Sequence, residues 1–354
     1  MSVLGPEPLN PAAKPAILGT YGDDSLYGGK LYIEWGPAPV LVLLVPLHFL
    51  LGYEPSNSAV MVPFAIFGLG FALAALRVCL RMVGDAPRWM CVLAGVTLAC
   101  ASVVPNLLRA SLVYHQAIVA GYCFVMAGLW LAVSAISDGR ASPTRLALMS
   151  LCFGLAAGSR PTLGLASLIL IPVFVSLKST RRHRGLLIAL ATPVGVCFLL
   201  LAAYNYARYG SVLENGVSYQ VGAPLHQYLG ELGYVPIGLW AYLVTPPRLS
   251  ALFPFISLVG AQVSYPLRLP AHYLSNMPAT GGLLSTAPVA VFVVALPWIW
   301  RRRPALLGSL GPLLLTAVGV GAGILIFLSY EIYSAEERYE ADYTSLFVLS
   351  LIHI

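Results

Sequence analysis

Residues 21–52 read YGDDSLYGGKLYIEWGPAPVLVLLVPLHFLLG, and the rest of the chain is read outward from this stretch. It opens on two adjacent carboxylates, Asp23 and Asp24. It then crosses an aromatic, charged strip of Tyr27, Lys30, Tyr32, Glu34 and Trp35, and ends in an apolar run from Pro37 to Leu51. That run is shorter than the ~20 apolar residues a bilayer-spanning helix needs. It predicts a helix lying in the membrane interface, with Tyr and Trp at headgroup depth. The polar strip before it would be held over one face of a membrane bundle.

Composition sets the broad class. Hydrophobic residues make up 58% of the 354 residues, charged residues 10%, and mean hydropathy is +0.82. Soluble domains carry about 25% charged residues, so the sequence predicts an all-α polytopic membrane protein. The formal net charge is +6. Its distribution says more than its sum. Basic residues cluster in four short loops: Arg77, Arg81 and Arg88; Arg140 and Arg145; Lys178, Arg181, Arg182 and Arg184; and Arg301 to Arg303. Only Asp85 and Asp138 offset them there. By the positive-inside rule these loops are cytoplasmic. They read as a topology signal, and no nucleic-acid partner is expected. The six cysteines all sit in apolar runs without a CxxC pair, which reads as small buried hydrophobes, with neither a disulfide framework nor a Cys-held metal.

Apolar runs divide the chain. Residues 1–36 form an extracytoplasmic loop with little regular structure, broken by Pro6, Pro8, Pro11 and Pro15. Residues 37–51 are the interfacial helix. Transmembrane helices fill 59–204, a long extracytoplasmic region with its own interfacial helices covers 205–280, and transmembrane helices return over 281–354. Ala59–Leu80, Trp89–Leu108, Ala117–Ile136, Gly185–Tyr204, Gly281–Trp300 and Ala305–Ser329 read as spans. The pattern totals about 8–9 transmembrane helices. Leu146–Ala157 and Pro161–Leu177 are short, and the polar knot Gly158-Ser159-Arg160 separates them. Such a turn sets Arg160 inside the bundle, where unsatisfied backbone needs protein or water partners. Ser345–Ile354 is too short to cross, so the chain reads as cut at that end.

Polar residues recur at five places on the expected outer face: Asp23 and Asp24 with Lys30 and Glu34; Tyr114-His115-Gln116; Ser159-Arg160; Asn205, Arg208 and Glu214 through Tyr219-Gln220; and Glu337-Arg338-Tyr339 with Asp342. A cavity there would hold carboxylates able to take a proton from an acceptor hydroxyl. Its arginines would hold a departing lipid phosphate in a bidentate fork. Each place also has a plainer reading. Asp23 and Asp24 would cap a turn beside Ser25, and His115 would be a wet interfacial histidine. Arg338 and Asp342 would form a structural ion pair, and Arg208 would anchor a helix end at the headgroups. Arg160 stands apart, because an ionisable group within a membrane segment is functional by default.

The stretch DDSLYGGKLYIEWGPAPVLVLLVPLHFLLG resembles the first outer loop of bacterial GT-C-fold membrane glycosyltransferases. VYHQAIVAGYCF, GLAAGSRPTLGLA, YNYARYGSVLENGVSYQ and ERYEADYTSLFVL resemble later blocks of an uncharacterised branch, in the same order. The resemblance implies a GT-C-like bundle in the bacterial inner membrane and a polyprenyl-phosphate-linked sugar as donor. It also implies an acceptor glycan, lipid or protein on the extracytoplasmic side, and inversion at the sugar carbon. No cofactor is expected, and a divalent cation is left open. Arg160 and Arg338 would hold the donor phosphate. Tyr114 and His115 would line the cavity, with Lys30, Glu34 and Asp342 beside them, and Arg208, Tyr219 and Gln220 would cover the substrate. The fold normally begins with a helix whose outer end carries the catalytic carboxylate, and no span precedes residue 37. Either Asp23 or Asp24 is the base, or the base lies upstream of Met1. Two other classes stay open: a polytopic transporter or flippase, and an inactive fragment or membrane scaffold.

Overall fold

One helix organises the bundle. In the computed structural model, which describes residues 24–83, 87–109, 111–139, 142–177, 183–220, 229–246, 248–249, 251, 256–257, 268–273, 281–302, 308–332 and 335–350, that helix is Val113–Ser137. It is the fifth in the chain and buries 83% of its most apolar window, whereas His183–Tyr209 buries 17%. The first is a core element. The second lies at the edge with its apolar side chains open to lipid.

In chain order, β1 (Asp24–Tyr27) and β2 (Lys30–Ile33) form an antiparallel hairpin. Then come α1 (Val40–Leu51), α2 (Asn57–Val83), α3 (Arg88–Cys100), α4 (Val104–Arg109), α5 (Val113–Ser137) and α6 (Pro143–Ser159). The segment Pro161–Leu177, α7, is 3-10 wound up to Ile169 and α-helical after it. α8 (His183–Tyr209) and α9 (Tyr234–Val244) follow, then the two-residue strands β3 (Arg248–Leu249) and β4 (Ile256–Ser257). The short α10 (Leu283–Thr286), α11 (Leu296–Arg302), α12 (Gly311–Glu331) and α13 (Thr344–Ser350) complete it. α5 packs between α2 and α6, α8 lies on α6, and α12 packs against α9 and α7. The main core is continuous from Met61 and Phe64 of α2 through Met126 and Leu129 of α5 to Phe153 of α6 and Leu313 of α12.

Among the described residues four helices are long and apolar enough to cross a membrane: Asn57–Met82, Val113–Ser137, Arg184–Tyr209 and Gly311–Glu331. These match four of the expected spans. Two others differ. The run 89–108 is not one helix but α3 and α4, parted at Ala101–Val103, and 281–300 breaks at Ala287, ahead of Pro288. The expected loop 1–36 also contains regular structure. Gly28 and Gly29 take φ of 58° and 76°, the paired left-handed conformation that closes a tight two-residue hairpin. Gly-Gly between short alternating runs was the signal for it. Residues 1–23, and much of the expected extracytoplasmic region 205–280, lie outside the described residues.

Two local devices shape the bundle. α6 starts where Ser142 accepts the Arg145 backbone N–H at 3.1 Å, with Pro143 in the first turn. α8 contains Pro193 and is stitched beside it. The Val194 N–H donates to Ser150 Oγ at 3.0 Å, and that hydroxyl donates to the Leu190 carbonyl at 2.6 Å. A side chain of α6 is thus inserted into a rung of the α8 ladder, one of the recognised causes of helix bending.

The basic residues Arg81, Arg145, Arg301 and Arg302 sit at one set of helix ends, and Asn57, Val113, Ser159, Tyr209 and Glu331 at the other. The second set carries the candidate site.

Candidate functional site

Pro161 places Arg160. A proline ring pushes the preceding residue out of the helical region. α6 therefore stops at Ser159, and Arg160 is extended, with φ −143° and ψ 125°. Its side chain enters the bundle and is 5% exposed. Nε lies 3.1 Å from Asp342 Oδ2, and Thr162 Oγ1 donates to the same oxygen at 3.0 Å. Asp342 ends the 3-10 turn Glu337–Asp342 between α12 and α13. The pair ties the break after α6 to the C-terminal segment. Arg160 Nη1 and Asp342 Oδ1 are buried without a hydrogen-bond partner among the described residues. Burial pushes the Asp342 carboxyl above its ordinary range, against the pull of Arg160 and the Thr162 hydroxyl.

Arg338 enters from the same turn. Its Nε is 2.9 Å from Glu336 Oε2, and its guanidinium carbon lies 4.5 Å from the Tyr114 ring centre and 5.2 Å from that of Tyr339. The Arg160 guanidinium lies 5.1 Å from the same Tyr339 ring, so two cations share one aromatic group. Burial pushes the Tyr339 phenol up to about 12. Arg338 pulls it down, Glu336 pushes it up, Arg160 pulls it down and Glu34 pushes it up. The Glu34 charge also reaches the Tyr209 phenol of α8, so it is felt at both the Tyr339 ring and the Arg208 cluster.

The loop after β2 brings Glu34 there. Gly36 packs so closely on the end of α6 that a β-carbon would meet the Gly158 carbonyl, and would lie 2.8 Å from Ser159 O. Only glycine lets the two backbones approach in this way. Trp35 then reaches the Tyr114 ring at 5.6 Å, and His115, largely buried, lies 4.5 Å beyond Tyr114.

A second cluster grips the hairpin. Arg208 Nη1 donates to the Ile33 carbonyl at 2.7 Å, and its guanidinium lies over the rings of Tyr204 (4.1 Å) and Tyr209 (4.7 Å). Ser25 Oγ donates to the Gly216 carbonyl at 2.7 Å, and Ser25 and Gln220 form a backbone bridge. Tyr219 lies 4.6 Å from Tyr27 and stacks on Tyr209 at 5.8 Å. Strand side chains alternate between faces. Ser25 and Tyr27, with cross-strand Tyr32 and Lys30, belong to the face packed on this cluster, while Asp24 and its partner Ile33 belong to the other.

The structure therefore gathers Arg160, Arg338, Asp342, Tyr114, His115 and Glu34 in one place. Arg208, Tyr219 and Gln220 sit at the hairpin beside it, and Lys30 is exposed at the hairpin tip. Asp24 lies on the hairpin face away from the tyrosines, and Asp23 lies outside the described residues. The expected Arg338–Asp342 pair is corrected. Asp342 pairs with Arg160 and Arg338 with Glu336. Reasoning from sequence missed Thr162, Glu336, Tyr204 and Tyr209. Thr162 carries no local signal, because it matters only once the break at Pro161 turns it toward Asp342. No protein-family model, curated protein or solved structure matches the chain.

Proposed function

We propose that this end of the bundle binds a phosphate-bearing lipid, and that the chain is a membrane glycosyltransferase moving a sugar from a polyprenyl-phosphate donor to an acceptor glycan, lipid or protein. The observation that carries the reading is the sharing of the Tyr339 ring by Arg160 and Arg338 with Glu34 close by. The site lies at the helix ends away from the basic residues, which by the positive-inside rule supports an extracytoplasmic site, and the reading takes the membrane to be a bacterial inner membrane. α1 follows directly, with Phe49 and Leu50 each 81% exposed, and offers an apolar ledge for a prenyl tail.

In this reading Glu34, rather than Asp24, takes the proton of the acceptor hydroxyl. The Glu34 charge is felt at Tyr339, the ring that both arginines share, whereas Asp24 lies on the other hairpin face. The acceptor oxygen bonds to the sugar carbon as the bond from that carbon to the phosphate oxygen breaks. The electron pair leaves with the phosphate, and Arg338 together with Arg160 Nη1 neutralises it. Attack opposite the leaving group inverts the carbon. No cofactor is invoked.

A second reading has its own observation. Arg160 is already paired with buried Asp342, which suits a non-catalytic scaffold whose charges serve only folding. The test is full-length protein in liposomes with a panel of polyprenyl-phosphate sugars, measuring donor binding and release of polyprenyl phosphate. Glu34→Gln is expected to keep binding and lose release by about 10²–10⁴-fold, the worth of a general base. Unchanged release in Glu34→Gln would sink the assignment of the base. Absence of donor binding by wild type would favour the scaffold, and donor movement across the bilayer without cleavage would favour a transporter.

A further inference from the structure

The opposite end of the bundle carries a cleft of about 220 Å³, which opens where the last turns of α2 and α5 meet the first turn of α6. Its floor is apolar: Val78, Trp130 and Leu131. Its rim is polar: Arg81, Ser134, Ser137, and the pair Asp138–Arg145, joined at 2.5 Å. Trp130 stacks on Phe71 of α2 at 5.5 Å, which fixes one wall. Depth runs the right way for a lipid. Trp130 and Leu131 lie about 10 Å of helix inside Ser137, at 1.5 Å per residue, and Arg81 stands at the end of the α2 span.

The charges are unequal in commitment. Arg145 is spent on Asp138, which holds the α5–α6 turn. Among the described residues no carboxylate pairs with Arg81. Arg77, one turn back on the same side of α2, is exposed and adds to the positive field. The cleft lining therefore has a net positive charge of one, carried by a guanidinium with no carboxylate partner among the described residues, and two serine hydroxyls line the same cleft. A single phosphodiester suits the arginine, and a hydroxyl-bearing headgroup suits the serines. The apolar floor suits the start of an acyl chain. Basic pockets between membrane helices on the cytoplasmic side bind anionic headgroups on the same physical grounds.

We infer that this cleft seats an anionic glycerophospholipid, with its phosphate on Arg81, its headgroup hydroxyls at Ser134 and Ser137, and an acyl chain along Trp130 and Leu131. The site is independent of any transfer chemistry at the far end.

The test is lipid retention by the full chain in detergent, read by native mass spectrometry against phosphatidylglycerol and phosphatidylcholine. Phosphatidylglycerol is expected to be retained preferentially. Arg81→Gln should cut that preference about fivefold, the worth of one arginine at an anionic surface. Arg184→Gln, a basic residue of the same end outside the cleft, should leave it unchanged. Arg81 is exposed, so its loss should not unfold the chain, and the melting temperature checks this. Glycerol phosphate and inorganic phosphate should not displace the lipid, and displacement by either would overturn the acyl-chain contact. Equal retention of the two lipids, or an equal loss in Arg184→Gln, would overturn the site.

Discussion

Arg160 and Asp342 are 5% and 3% exposed, and each leaves the other stranded if removed. Breaking a buried pair from one side costs about 3–5 kcal/mol, while replacing both partners with apolar residues of similar size is often neutral. Arg160→Ala should therefore lower the melting temperature in detergent sharply, and Arg160→Met combined with Asp342→Leu should recover most of it. The double variant also separates the two functional readings. A scaffold keeps its behaviour, whereas a glycosyltransferase with restored stability stays unable to hold the donor phosphate. Asp342 adds a pH dependence. Its folded carboxyl is raised above the ordinary 3.8 by burial, so the folded chain keeps that proton to higher pH than the unfolded chain. Its contribution is fully present below 3.8 and is lost as pH rises through the raised value. Melting curves across the acid range should show stability falling with pH over that window. Asp342→Asn should remove that component of the slope.

At the scale of elements, the joints matter more than the helices. The loop after β2 docks on α6 through Gly36. In Gly36→Ala the new methyl overlaps the Gly158 carbonyl, so the loop must lift and carry Glu34 with it. The expected result is loss of donor cleavage with the fold retained, visible as normal helical circular dichroism. If Gly36→Ala is as active as wild type, Glu34 is not held by this contact. The α6–α8 joint makes a separate prediction. Ser150→Ala leaves the Leu190 carbonyl and the Val194 N–H without the hydroxyl that links them. The two are i→i−4 partners of one helix and can close on each other, so the loss is that of one buried hydrogen-bonded hydroxyl, about 0.5–1.5 kcal/mol, and melting should shift down accordingly.

For the whole molecule, the division between a basic end and a site end is the main prediction. Cysteines placed at exposed Ser56 and exposed Ser137, in a background without the native cysteines, stand at opposite ends of α2 and α5. A membrane-impermeant thiol reagent applied to intact cells should label Ser56→Cys and spare Ser137→Cys until the membrane is opened. The reverse pattern would turn the bundle over and put the Arg160 site in the cytoplasm, where the sugar-transfer reading requires it not to be. α8 supplies the complementary check. Its outward apolar residues, Leu199 and Leu200 among them, should protect the backbone from exchange only in lipid or detergent.

The sequence by itself determined the class, four of the spans, the break at Arg160 and the short apolar helix after Pro37. Each is a local consequence of length, hydropathy or proline geometry, and such consequences survive folding unchanged. It also marked polar stretches that the fold brings together, because charges are rare in an apolar chain and must face one another or water. Pairing was another matter. Arg338 and Asp342 lie four residues apart and looked like partners, yet the 3-10 turn Glu337–Asp342 sends Asp342 to Arg160, across 182 positions of sequence, and leaves Arg338 with Glu336. Asp24 read as a candidate base and Glu34 as a cavity residue, until the hairpin register put Asp24 on the face away from the tyrosines and Gly36 docked the segment after Glu34 on the end of α6. Those outcomes depend on which backbones touch, and only the tertiary structure decides that.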